Sequence, residues 1–106
     1  MMELSLCSFN CCSLYKNIDI VRELTSKDFH IIMLQETMLI SDRLGDLSSI
    51  DEIYESVGVG ATFSEKSLQS MAGRPQGGMA CLWRTDCGFR INKILVDEDM
   101  ILMSLT

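Results

Sequence analysis

Asn10 and the Gln35-Glu36-Thr37 triplet are the residues of this chain best placed for chemistry. Asn10 follows an alternating stretch, Glu3 to Phe9, and the triplet closes the apolar run Ile31-Ile32-Met33-Leu34. A carboxylate beside an amide suits a hard divalent cation and a phosphate oxygen, because Mg²⁺ takes oxygen donors, few protein carboxylates and several waters. The same residues also allow a plain structural role, in which Glu36 caps or pairs locally and Asn10 only makes a turn. The other reactive side chains offer less. Cys7, Cys11, Cys12, Cys81 and Cys87 are odd in number and lack CxxC spacing, so with the single His30 they do not form a zinc pattern. They read as reduced, mostly buried small apolar groups. Cys11 and Cys12 lie near the candidate site, but no base is in view to activate a thiol nucleophile. His30 precedes Glu36 by six residues on one strand, about 20 Å at 3.3 Å per residue, so the two cannot share a site.

The elements that must position these residues follow from periodicity. Leu4 and Leu6 alternate with Ser5 and Cys7, which is strand patterning. Within residues 14–25, Leu14, Ile18, Val21 and Leu24 or Thr25 fall on one helical face. Asn17 is the expected N-cap, Asp19 sits in the first turn, and Asp19 is spaced to pair with Arg22. The short unbroken run after His30 predicts a strand covered on both faces. Strand, helix, strand is a βαβ unit with parallel strands and a right-handed crossover. Both candidate residues then fall at the C-terminal ends of parallel strands, where open α/β sheets gather ligands.

Further along, Leu44, Leu47 and Ile50 predict short helical turns between Ser41 and Glu52. Tyr54 to Phe63 reads as a strand broken by Gly58 and Gly60, and Glu65 to Gln76 as a loop. Gly77-Gly78 leads into a buried strand, Met79 to Trp83. Phe89 to Val96 and Met100 to Leu105 form a hairpin across Asp97-Glu98-Asp99. The order predicts an α/β (α+β) domain in which antiparallel strands extend the βαβ start into one mixed sheet. The last strand runs to the final residue, so residues 1–106 are expected to be part of a larger domain.

Four segments in this order carry a resemblance: SFNCCSL from Ser8, DIVREL from Asp19, FHIIMLQETML from Phe29 and GGMACLWR from Gly77. Together they resemble the N-terminal half of the endonuclease/exonuclease/phosphatase superfamily. The nearest branch is the apurinic-endonuclease-like domain of non-LTR (LINE-type) retrotransposons. The resemblance implies a four-layer α/β sandwich, of which this chain would supply one half. It implies Glu36 as a ligand of Mg²⁺ (or Mn²⁺), Asn10 as an active-site residue orienting the metal–phosphate centre, and phosphodiester hydrolysis on DNA as the reaction. Many apurinic endonucleases carry an acidic residue two positions after the Asn, and Cys12 stands there instead. The family's later Asp-x-Asn and Asp-His motifs are absent from the chain. The expectation is a domain that nicks DNA when complete and a chain that is inactive alone. The alternatives are a non-catalytic interaction fragment, a degenerate retroelement remnant, or a phosphatase of the same superfamily.

Composition narrows the remaining classes. With 9 basic against 15 acidic residues the net charge is −6, which argues against gripping nucleic acid by bulk charge. An apolar content of 47% argues against disorder. Locally the balance reverses: between Glu65 and Lys93, Lys66, Arg74, Arg84, Arg90 and Lys93 face only Glu65 and Asp86. Lys66, Arg74 and Arg84 are therefore candidate contacts to a phosphate backbone, although an ordinary solvated loop and hairpin explains them as well. Tyr54 and Trp83 fit the core better than a base-stacking surface. No run of 18 apolar residues exists, so no membrane span is expected. No signal peptide is evident either, which predicts an intracellular location, nuclear or cytoplasmic. Apolar sheet surface left open by a missing half should make the isolated chain self-associate.

Overall fold

A computed structural model describes residues 3–63 and 75–106. Along the chain run β1 (Leu6–Asn10), α1 (Ile18–Thr25), β2 (Ile31–Gln35), a 3₁₀ helix (Ser41–Ser49), β3 (Tyr54–Val59), β4 (Met79–Arg84), β5 (Ile91–Asp97) and β6 (Met100–Leu105). The first four strands form a mixed sheet in the order β1-β2-β4-β3, and β5 and β6 pair with each other as a second, two-stranded sheet. β1 and β2 are parallel, as the βαβ reading requires. β4 is antiparallel to both of its neighbours. The fold is mixed α/β, and the hairpin is its own ribbon beside the mixed sheet.

Side-chain parity builds three layers. Ile32 and Leu34 of β2, with Ala80 and Leu82 of β4, face α1 and the 3₁₀ helix and pack with Leu14, Val21 and Leu47. Ile31, Cys81 and Trp83 face the other way, where Phe89, Ile91, Ile101, Met103 and Leu105 of the hairpin segment cover them. Because β2 is covered on both faces it reads as a continuous apolar run. Each fully buried aliphatic contributes about 1.5–3 kcal/mol by leaving water.

The structure sets the facing of β1 and corrects two local expectations. In β1, Cys7 and Phe9 pack toward α1, whereas Leu4 and Leu6 are exposed. The alternation located the strand, but its larger aliphatics lie on the face opposite the main core. Asn17 precedes α1 without a side-chain cap; its Nδ2 instead donates to the Cys11 carbonyl at 2.6 Å. Asp19 and Arg22 form no ion pair; the described ion pairs join Arg84 to Asp28 and Asp86. Trp83 and Tyr54 are core residues, as expected, and the Tyr54 hydroxyl donates to the Phe29 carbonyl at 2.6 Å. Gly60 lets the 3₁₀ helix approach β3, because a Cβ there would overlap Ser41.

Candidate functional site

Asn10 is the last residue of β1 and pairs with Gln35, the last residue of β2, in parallel register. The next residues extend that pairing. Cys11 N–H donates to Gln35 O at 2.8 Å, Ser13 N–H to Glu36 O at 3.0 Å and Leu14 N–H to Thr37 O at 2.9 Å. On the opposite side, Thr37 N–H donates to Gly78 O at 3.2 Å and Met38 N–H to Gly77 O at 2.9 Å. The Gln35–Met38 segment is thus a strap held by backbone hydrogen bonds along both edges.

That double hold sustains unusual backbone geometry. Cys12 (φ 45°), Ser13 (φ 88°), Glu36 (φ 51°) and Met38 (φ 58°) are the described non-glycine residues with positive φ, and all lie at this one sheet end. Left-handed backbone at a non-glycine residue costs about 1–3 kcal/mol and persists only where the surroundings over-determine it. Gly78 (φ +83°) completes the packing, since a Cβ there would sit 2.5 Å from the buried Thr37 Oγ1.

Held this way, the candidate side chains converge. Asn10 Oδ1 accepts the Cys12 N–H at 3.1 Å, which points the amide oxygen, not its nitrogen, at residue 12. Cys12 Sγ lies 3.4 Å from Asn10 Oδ1 and 3.5 Å from Glu36 Oε2. Asn10, Cys12 and Glu36 are all exposed. Glu36 also lines a cleft of about 630 Å³ with Gln76, Gly77, Gly78, Glu98 and Asp99. Glu98 and Asp99 come from the hairpin turn, and sequence reasoning gave them no role beyond turning the chain. Their acidic side chains at a strand-end loop were the available signal. Among the described residues, no three His, Cys, Asp or Glu side chains gather closely enough to hold a metal without help from other donors.

The thiols divide by burial. Cys12 is exposed, while burial pushes Cys11 and Cys81 up to about 11, which keeps them as neutral thiols. Nearby, the Tyr15 hydroxyl donates to Asp46, and that bond holds the phenol above its ordinary pKa.

The remaining sequence candidates sit elsewhere. His30 stands at the start of β2, where its Nδ1 accepts the Ser5 N–H at 2.9 Å and its ring meets Phe89 edge-on at 5.8 Å. It does not approach Glu36. Arg84 ends β4 beside His30, because β4 runs antiparallel to β2 and Arg84 N–H donates to His30 O at 2.9 Å. Its guanidinium forms two bonds to Asp86, at 2.7 and 2.8 Å, and one to Asp28 at 3.2 Å. The Asp86 bonds raise Arg84 above its ordinary value and lower Asp86 below its own. Two carboxylates therefore engage this arginine, at the sheet end opposite Glu36. Lys66 and Arg74 lie outside the described residues. No helix among the described residues is long and apolar enough to cross a membrane.

No family model matches the chain, and no curated protein matches it. Among solved structures, it is similar to the 3′ phosphatase NExo from Neisseria bound to a product DNA hairpin, with a TM-score of 0.59 and 18% sequence identity. The match covers 85% of this chain and 31% of that one. The two share a fold over the matched region, and this chain spans about a third of the length of its neighbour.

Proposed function

We propose that the chain is the N-terminal part of a metal-dependent phosphoesterase domain of the endonuclease/exonuclease/phosphatase superfamily. Its substrate would be DNA, and its branch the apurinic-endonuclease-like domains of non-LTR retrotransposons. The observation that carries this reading is the meeting of Asn10 and Glu36 at Cys12, on the C-terminal edge of the parallel pair. A fold shared with a 3′ phosphatase solved on DNA supports it.

The donor set fits the ion that this reading requires. One carboxylate and one amide oxygen, both exposed, suit Mg²⁺ or Mn²⁺, which keep most of their waters. Glu36 would hold the ion, and Asn10, oriented by the Cys12 N–H, would turn an oxygen toward it. When bound, such an ion neutralises charge on the phosphate oxygens. The chain's own residues supply position: the strap fixes Glu36, and the cleft beside it is open to a substrate. The described residues place no histidine at this end. We therefore assign the chain the holding of the cation, and assign water activation and leaving-group protonation to the rest of the domain.

Two measurements test this. Mn²⁺ binding, followed by electron paramagnetic resonance, should weaken about tenfold or more in Glu36→Gln. Supercoiled plasmid should stay intact when the chain alone is incubated with Mg²⁺. Mn²⁺ binding indifferent to Glu36→Gln sinks the metal assignment, and Mg²⁺-dependent nicking lost in Glu36→Ala sinks the inactivity. The shared fold with a 3′ phosphatase favours a second reading, terminal phosphate removal. The complete domain decides between them: phosphate release from a 3′-phosphorylated oligonucleotide with plasmid left intact selects the phosphatase. The exposed Leu4, Leu6, Met100 and Leu102 should also make the isolated chain self-associate, and a monodisperse monomer at tens of micromolar in sedimentation would count against that.

A further inference from the structure

We propose that His30 is an acid-sensitive latch on the segment leading into β1: protonation of its Nδ1 releases the Ser5 N–H and opens the apolar groove that Leu4 helps to line. The latch stands at the start of β2, apart from the Asn10–Glu36 site at its end.

Hydrogen bonding fixes the form of the ring. Ser5 N–H donates to His30 Nδ1 at 2.9 Å. A backbone N–H only donates, so Nδ1 carries its lone pair, and the neutral ring keeps its proton on Nε2. The Ser5 hydroxyl lies 3.0 Å from the same Nδ1, but it donates to the Asp28 carbonyl at 2.9 Å. An added proton must therefore take the lone pair that now receives the Ser5 N–H. The imidazolium can then donate to Ser5 Oγ across the 3.0 Å contact, and the Ser5 N–H is left donor against donor. Acid works against the latch because the proton and the Ser5 N–H compete for one lone pair.

The place of Ser5 in the chain makes that loss matter. The β1–β2 ladder begins at Leu6 and Ile31, so residues 3–5 lie outside it. The described hydrogen bonds of these residues all run from Ser5 to residues 28–31. Next to Ser5, Leu4 and Leu6 line an apolar groove of about 440 Å³ with Ile31, Met33, Ile101 and Met103. The His30 ring also meets Phe89 edge-on at 5.8 Å, and Phe89 packs over Ile31 and Trp83.

The charged groups at this end come from several elements. Asp28 precedes β2, Arg84 ends β4 and Asp86 follows it; Arg84 is bonded to both carboxylates, so the ring meets paired charges. The Tyr54 phenol of β3 donates to the Phe29 carbonyl, the Cys87 thiol donates to the Arg84 carbonyl, and Glu3, Lys27 and Arg90 are exposed. The Arg84 bonds hold the Asp86 carboxyl below its ordinary value, so it stays charged over the range from about pH 5 to about pH 8 in which an imidazole changes charge.

Amide hydrogen exchange of the full chain, read by nuclear magnetic resonance and corrected for intrinsic rates, tests the latch. Between about pH 8 and about pH 5, Ser5 protection should fall about threefold to tenfold, the worth of one hydrogen bond, while Leu82 in the core keeps its own. Anilinonaphthalene sulfonate, which fluoresces on exposed apolar surface, should bind more at the lower pH. In His30→Asn the amide oxygen stands in for Nδ1 and takes no proton, so neither readout should change with pH. In His30→Phe, which keeps a ring against Phe89 and offers no acceptor, Ser5 should be poorly protected at both pH values. Trp83 fluorescence confirms that each variant is folded. Ser5 protection indifferent to pH in wild type, an equal fall in His30→Asn, or loss of Leu82 protection in step with Ser5 overturns the latch. A fall at Ser5 with no gain in dye binding overturns the opening of the groove.

Discussion

The two ends of the four-stranded sheet treat polar groups in opposite ways. At the end where β2 starts, His30 accepts from Ser5, and Arg84 is bonded to Asp86 and Asp28. Donors and acceptors there answer one another with ordinary backbone angles. Where β1 and β2 finish, an amide oxygen, a thiol and a carboxylate crowd together with no cation beside them among the described ion pairs. That end also collects the positive-φ residues Cys12, Ser13, Glu36 and Met38. One sheet carries both arrangements, so the difference comes from the loops. The first end is held by paired charges and hydrogen bonds, and the second holds Asn10, Cys12 and Glu36 together at the cost of left-handed backbone.

The largest expected effect comes from removing the platform that both ends share. Leu82 is fully buried at the centre of β4, opposite Ile32 and Ser56 in the ladders. Leu82→Ala should cost about 2–5 kcal/mol, the range for emptying a buried leucine site. Chemical denaturation measures it, and cation binding and the ion pairs of Arg84 should be lost in the same transition. A cost below about 1 kcal/mol would mean that the ends do not depend on one core.

A smaller change should separate the ends. Gly78→Ala sets a Cβ 2.5 Å from Thr37 Oγ1 at a φ of +83°, whereas Gly77→Ala, at +81°, meets only open space. Backbone strain alone costs about 1–2 kcal/mol, so Gly77→Ala should fall there and Gly78→Ala beyond it, near about 3 kcal/mol. Because Gly78 O accepts from Thr37 N–H, the second variant should also displace the strap and weaken Mn²⁺ at Glu36. Equal costs for the two variants would show that the Thr37 contact does not hold the strap.

How much of this was legible beforehand depends on the range of the force involved. The βαβ start and the hairpin follow from local apolar periodicity, and both appear in the structure; the geometry of parallel strands sets Asn10 and Glu36 at one sheet edge, where each approaches Cys12 Sγ. The orientation of β1 was harder to read. The alternation of Leu4 and Leu6 with Ser5 and Cys7 marks a strand without saying which face α1 covers, and α1 covers Cys7 and Phe9. Asn17 has the right identity for a cap, but the Cys11 carbonyl of the preceding loop takes its amide. Arg84 pairs mainly with Asp86, two residues on, which the sequence counted only as a local charge, and its second partner, Asp28, is 56 residues away. Cys12 was visible as a departure from the family pattern, yet its contact with Glu36 depends on a left-handed backbone that no propensity of cysteine encodes. Local patterns specified the elements; loop conformation and distant charge partners had to be seen.

The smallest effect tests whether the first end matters to the second. Asp86 accepts two bonds from Arg84, and those bonds hold its carboxyl below the ordinary 3.8. A carboxylate with a lowered pKa in the fold binds protons less readily there than in the unfolded chain. Its contribution is therefore fully present above the ordinary value and fades as the pH falls through the lowered one. Asp86→Asn should be slightly less stable than wild type at neutral pH, with the gap closing as both are acidified below 3.8. Thermal melts from pH 7 to pH 2 read that convergence, and because Asp86 is exposed and Arg84 only half-buried, the effect should be slight. Mn²⁺ affinity at Glu36 should not move in the same variant, because Asp86 lies beyond Arg84 at the far end of the strand ladder, about 15–20 Å away by strand rise. If Asp86→Asn does shift that affinity, the sheet transmits charge or strain along its length, and the two ends are one coupled system.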